Sequence, residues 1–157
     1  ALEDKDTPSI LVLTRQGLKQ ARLEHTEENL CAKGGYVISA ASNDAAVTIF
    51  ATGSEVEIAI EAQSELEAHG IATKVVSMPS TETFDAQPEA YQDEVLGHSK
   101  VYASIEAGAT YGWDKYVGRN GVKIGIDEFG ASAPAKDLYK HFGVTKENLV
   151  SQIKAKL

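Results

Sequence analysis

The chain has 157 residues and a mass of 16.8 kDa, which suits one compact domain and is too short for two complete ones. Apolar residues make up 43% and charged residues 24%, with only 4 Pro, so disorder, collagen and coiled coil are excluded for most of the chain. With 15 basic against 23 acidic residues the net charge is −8, which disfavours non-specific contact with nucleic acid or an acidic membrane.

No apolar run reaches the ~20 residues a membrane span needs. The N-terminus lacks the basic start and apolar core of a signal peptide, and it lacks an initiator Met. A lone Cys31 excludes an internal disulfide framework and a multi-Cys zinc site. The expectation is a soluble intracellular domain that is a piece of something larger.

Residues 9–14 (SILVLT) predict a buried strand. Residues 15–33 are polar and read as a connecting segment with at most a short helix. Gly34-Gly35 opens a second region, with strands predicted over 36–40 and 46–51. Thr52-Gly53-Ser54 ends the latter strand and starts a helix. Ser54 and Glu57 have the spacing of a capping box, in which hydroxyl and carboxylate satisfy each other's backbone amides. Val56, Ala59, Ile60 and Leu66 fall on one helix face, and Glu57, Glu61 and Glu65 form a stripe expected to face water. Gly70 is the expected stop, with His69 in the last turn.

Strands follow over 73–78, 101–105 and 122–126. Between them lie a short helix in the later part of the acidic segment 81–94 and a helical stretch over 111–117. Ser132 predicts a cap for a helix with Pro134 in its first turn, stopped by Gly143. Thr145 predicts the cap of a last helix whose core face is Leu149, Val150, Ile153 and Leu157. Strands alternating with helices on short loops define an α/β layered domain from about Gly34. Most strand pairs should be parallel, with 36–40 as the antiparallel edge.

In open α/β sheets ligands bind beyond the carboxyl ends of the strands. Thr52, Ser54, Glu106 and Asp127 therefore form a candidate ligand crevice. The turn at Thr52-Gly53-Ser54 can hold an anion, or it is only a tight turn. Glu106 and Asp127 are either an acid/base pair or caps for loop amides. The four His show no metal-ligand spacing, and no nucleophile elbow is present. Tyr111, Trp113 and Tyr116 are expected in the core or a subunit interface. Arg15, at a strand's carboxyl end beside Gln16, reads as a phosphate or carboxylate clamp or as a surface ion pair.

Eight motifs occur in order: Leu13-Thr14-Arg15-Gln16, Gly34-Gly35-Tyr36-Val37, Ala51-Thr52-Gly53-Ser54-Glu55-Val56, Val75-Val76-Ser77-Met78-Pro79-Ser80, Phe84-Asp85-x-Gln87, Glu106-Ala107-Gly108, Lys115-Tyr116-Val117-Gly118 and Phe129-Gly130-Ala131-Ser132-Ala133-Pro134. Together they resemble the C-terminal end of transketolase over essentially the whole chain. The resemblance implies a three-layer α/β/α fold with a five-stranded, mixed, mostly parallel sheet. It implies that residues 1–33 are the tail of a middle, pyrimidine-binding domain and its linker, and 34–157 the complete C-terminal domain.

For the full-length parent, the resemblance implies a transferase that moves a two-carbon ketol unit between phosphorylated ketose and aldose sugars. Such a parent works in the pentose phosphate pathway or Calvin cycle as a cytoplasmic, or in plants plastidic, homodimer. It uses thiamine diphosphate with magnesium or calcium. Arg15 matches the family's Ser/Thr-Arg-Gln motif, which implies binding of the sugar phosphate; Gly17 stands where the family has Asn. The Gly-Asp-Gly…Asn cofactor motif, the thiamine-activating glutamate and the catalytic histidines have no counterpart here. An inactive chain that holds no catalytic residue and binds neither cofactor nor metal is therefore expected. The alternatives are a stand-alone regulatory or small-ligand module, or a dimer-supporting domain.

Overall fold

The structure is a computed structural model and describes residues 6–157. The reading of the extreme N-terminus rests on residues 1–5, which lie outside the described part.

Five strands form one sheet in the order β1-β3-β2-β4-β5. They are β1 (Tyr36–Ser39), β2 (Val47–Ala51), β3 (Thr73–Ser77), β4 (Val101–Ile105) and β5 (Val122–Ile124). β1 runs antiparallel to β3 at the edge, and the other three pairings are parallel. The helices are α1 (Glu55–Ala68), α2 (Thr81–Asp85), α3 (Glu89–Leu96), α4 (Asp114–Val117), α5 (Ala135–Phe142) and α6 (Lys146–Lys154). Each parallel strand is reached through a helical crossover, which is what a parallel pair demands.

Sequence alternation assigns the two cores. Val47, Ile49 and Ala51 of β2 and Val101, Ala103 and Ile105 of β4 face Val56, Ala59, Leu66, Leu149 and Ile153 of α1 and α6. Phe50 and Val76 point the other way, onto Phe84, Val95 and Tyr116 from α2, α3 and α4 and onto Trp113 just before α4. The result is three layers, helix, sheet and helix. β2 is buried along its whole length because it has strands on both sides and helices on both faces.

The direction of travel through the sheet explains the layers. From β2 the chain moves to β3 over one face through α1. From β3 it returns past β2 to β4 over the other face through α2 and α3. Crossovers of one hand that reverse direction must change face. The reversal leaves a switch-point crevice at the carboxyl ends of β2, β3 and β4.

Gly34 is positioned by a close approach. It caps the single 3₁₀ turn Leu30–Lys33 at φ 79°, and a Cβ there would lie 2.3 Å from the Phe84 nitrogen. Its carbonyl accepts the Ser80 amide at 3.0 Å, tying the entry of β1 to the start of α2. Lys74 crosses the layer boundary on the same side. Its ammonium donates to the carbonyls of Val95 (2.7 Å) and Leu96 (3.2 Å) at the end of α3, and burial pulls its pKa below the ordinary lysine value.

Several expectations need correction. Residues 9–14 form no strand, and Ile10 and Val12 are each 90% exposed. A strand needs a neighbour for its ladder, and both edges of this sheet are formed without them. Glu57 does not cap α1: Ser54 makes no side-chain cap bond, and Glu57 instead pairs with Lys19 at 3.1 Å. The stripe is not left to water alone, since Lys19 also reaches Glu61 and Lys146 reaches Glu65, both at 3.0 Å. Pro134, not Ser132, precedes α5. Leu157 lies beyond α6 and is half exposed, whereas Thr145 caps that helix as expected, accepting from the Asn148 amide at 3.3 Å. The acidic segment holds two helices rather than one.

Candidate functional site

Two cavities open at the switch point. One, of about 390 Å³, lies between Pro79, Ser80, Asp85 and Glu106 on one side and Tyr111, Trp113 and Lys115 on the other. The second, of about 650 Å³, lies between Thr52, Ser54, Glu55, Glu106 and Ala107 and the chain's own Ile10, Leu11, Val12, Leu13 and Thr14. The segment that fails to form a strand therefore lies across the mouth of the crevice.

The sequence places Thr52, Ser54 and Glu106 together, and the structure brings all three to this crevice. Asp127 lines neither cavity. It accepts the Thr110 amide at 2.8 Å and the Thr110 hydroxyl at 2.7 Å, which hold its carboxyl below the ordinary aspartate range. It pins the loop after β4 to the loop after β5. Glu106 accepts the Trp113 indole N–H at 2.8 Å. Asp127 thus joins two loops while Glu106 serves its own, and no hydrogen bond links the two as an acid/base pair.

The residue missed in the sequence is Glu55. It is only 4% exposed and stands at the first position of α1. One carboxylate oxygen accepts the Ser54 hydroxyl at 2.7 Å and the Tyr139 hydroxyl at 2.6 Å. The other accepts the Ala107 amide at 3.0 Å. Burial, and then the bond to Glu55, raise the Tyr139 pKa. A carboxylate at a helix N-terminus meets the positive end of the helix dipole. The helix start read as either an anion site or a tight turn already has an anion, supplied by its own chain. The signal was a Glu directly after Ser54, which the better-spaced Glu57 overshadowed.

In the smaller cavity, Asp85 accepts from Lys115 (2.6 Å) and from the Tyr116 hydroxyl (2.8 Å). Partial burial works against the charged carboxyl, but these two donors outweigh it and hold its pKa below the ordinary value. Burial, followed by the Asp85 bond, raises the Tyr116 pKa. Trp113 and Tyr116 are core residues, as expected. Tyr111 is not: it is 95% exposed.

Arg15 lies in the extended N-terminal segment, exposed, with no hydrogen bond or ion pair to any described residue. Cys31 is exposed and free. Among the described residues no three His, Cys, Asp or Glu side chains converge as metal ligands, and no helix is long and apolar enough to cross a membrane.

A mixed sheet with an antiparallel edge, helices on both faces and a switch-point crevice defines an open, doubly wound α/β/α domain. Residues 34–145 match the model of the transketolase-like C-terminal domain, and the chain belongs to that family. It is 48% identical over 153 residues to the transketolase of Sinorhizobium medicae, covering 97% of this chain and 22% of that one. It is 46% identical over 157 residues to the chloroplastic transketolase of Solanum tuberosum, covering 98% of this chain and 21% of the other. The transketolase of Pichia stipitis, solved in complex with sedoheptulose 7-phosphate, superposes with a TM-score of 0.72 at 38% identity, over 80% of this chain and 18% of that chain. The chain spans less than a quarter of the length of these relatives.

Proposed function

We propose that this chain is the C-terminal part of a transketolase. Residues 1–33 are the tail of the middle, pyrimidine-binding domain and its linker, and 34–157 are the C-terminal domain. The full-length parent is a homodimer that transfers a two-carbon ketol unit between phosphorylated ketose and aldose sugars. Within this chain Arg15 is the substrate contact: its guanidinium grips the sugar phosphate, forked donor to paired oxygens.

One observation carries the reading. The carboxylates at the strand ends, Glu55, Glu106 and Asp127, are each committed to internal donors, while the Arg15 guanidinium has no partner among the described residues. The described residues also do not fit the thiamine diphosphate–metal pair that such a parent uses, since no ligand set for its metal converges here. No chemical step through that cofactor is assigned to them. What this chain supplies is the domain fold and one phosphate contact.

The test has two arms. The isolated chain, given thiamine diphosphate, magnesium, xylulose 5-phosphate and ribose 5-phosphate, should show no turnover, and turnover would overturn the reading. In the full-length parent, Arg15→Gln should raise KM for phosphorylated donors by about 10- to 100-fold, the worth of one charge-assisted contact, with a smaller change in kcat. An unchanged KM would remove Arg15 from the site.

A further inference from the structure

The opposite end of the sheet holds a pocket of different character. At the amino ends of β4 and β5, Lys100, Arg119 and Lys156 surround a cavity of about 350 Å³, walled by Tyr102 and Val117. No Asp or Glu lines it. Among the described residues none of these three cations forms an ion pair; the lysines that do are Lys19, Lys33, Lys115, Lys123 and Lys146. In a chain of net charge −8, three cations gathered without one carboxylate repel each other for no structural return.

The turn between α4 and β5 adds donors. The Gly121 amide bonds back to the Gly118 carbonyl at 3.1 Å, which leaves Arg119 and Asn120 as the central turn residues. Neither of their backbone amides, nor the Asn120 side chain, has an acceptor among the described residues. Lys156 follows the C-terminal end of α6, whose partial negative charge absorbs part of its field. The grip therefore falls on Arg119, the two turn amides and Lys100.

We propose that this pocket binds the dianionic head of a small phosphomonoester. Three cations and a turn with two unpaired amides lining one pocket suit a multi-oxygen dianion better than a single carboxylate. The cavity exceeds what a bare phosphate fills, and the Tyr102–Val117 wall accommodates the carbon skeleton. The site lies at the other end of the sheet from the crevice and from Arg15, so it stands or falls independently of the transketolase reading.

The experiment is a titration of the 157-residue chain with ribose 5-phosphate at constant ionic strength, followed by amide NMR. The Arg119 and Asn120 amides should shift saturably, and inorganic phosphate should move the same peaks. Arg119→Gln should weaken binding at least tenfold and Lys100→Gln severalfold, while Arg15→Gln leaves it unchanged. Both pocket residues are exposed, and an unchanged melting temperature confirms that the variants are folded. Shifts confined to residues 14–16, equal shifts with unphosphorylated ribose or sodium chloride, or full affinity in Arg119→Gln would each overturn the proposal.

Discussion

Replacing Glu55 separates a charge effect from a packing effect. Its carboxylate takes three donors, from Ser54, Tyr139 and Ala107, and so joins the start of α1 to α5 and to the loop after β4. Hydrogen bonds to a charged group are worth about 1.5–3 kcal/mol each, but donors that share one acceptor do not add in full. Glu55→Ala leaves the Ala107 amide and the Tyr139 hydroxyl without this acceptor in a partly exposed place, and should cost about 2–4 kcal/mol. Glu55→Gln keeps one carbonyl oxygen for Ala107. The two hydroxyls can then rotate to accept from its amide, so the loss should be about 1–1.5 kcal/mol. For a chain of this size 1 kcal/mol moves the melting temperature by about 2–4 °C. Urea unfolding and thermal melts at pH 7 would thus place the alanine variant roughly 10 °C below wild type and the glutamine variant within about 5 °C. If the two variants prove equally stable, the three-donor account of this residue is wrong.

Other outcomes can be checked alongside. Glu67 accepts the Ser42 hydroxyl and amide and the Thr73 amide, which hold its folded pKa below the ordinary glutamate value. A depressed carboxylate stabilises the fold above its unfolded pKa of about 4.3 and loses that contribution as pH falls through the folded value. The stability gap between wild type and Glu67→Gln should therefore be constant above about pH 5 and close below pH 4, and a gap independent of pH would contradict the assignment. Gly34→Ala forces a left-handed backbone on Ala and drives a Cβ into the α2 backbone; it should cost about 2–4 kcal/mol in chemical denaturation, and a loss below about 1 would count against the close approach. Asp127→Ala frees the Thr110 amide, whose hydrogen exchange should quicken by about an order of magnitude without a change in the protection of β4.

Much of the fold was legible because burial on both faces leaves an unmistakable mark. β2 and β4 read as nearly continuous apolar runs, and each does sit between helix layers. The antiparallel edge could be inferred at residues 36–40 because no helix follows them before β2. What failed did so for local reasons. Residues 9–14 have the composition of a buried strand, but pairing needs an edge to lie along, and this segment crosses the mouth of the crevice at the carboxyl ends of the strands instead. Ser54 with Glu57 satisfies the spacing of a capping box, yet Lys19, distant in sequence, draws Glu57 outward, while the unremarked Glu55 turns inward. The crevice members Thr52, Ser54 and Glu106 were legible from their place after strands. That Glu55 already occupies the helix start in that crevice depends on contacts across 52 and 84 positions of chain, which no local pattern records.

The bare stretch at Ile10, Leu11, Val12 and Leu13 has a consequence for handling the protein. It is short, β-prone, uncharged and free of Pro, which is the composition from which cross-β fibrils grow. The sheet's own edges are poor templates, since β1 has four residues with an irregular register and β5 only three. Self-association of the chain through strand stacking would therefore start at its N-terminal segment and not at its sheet. Pro8 and Arg15, which flank that stretch, stand where gatekeeper residues check such growth.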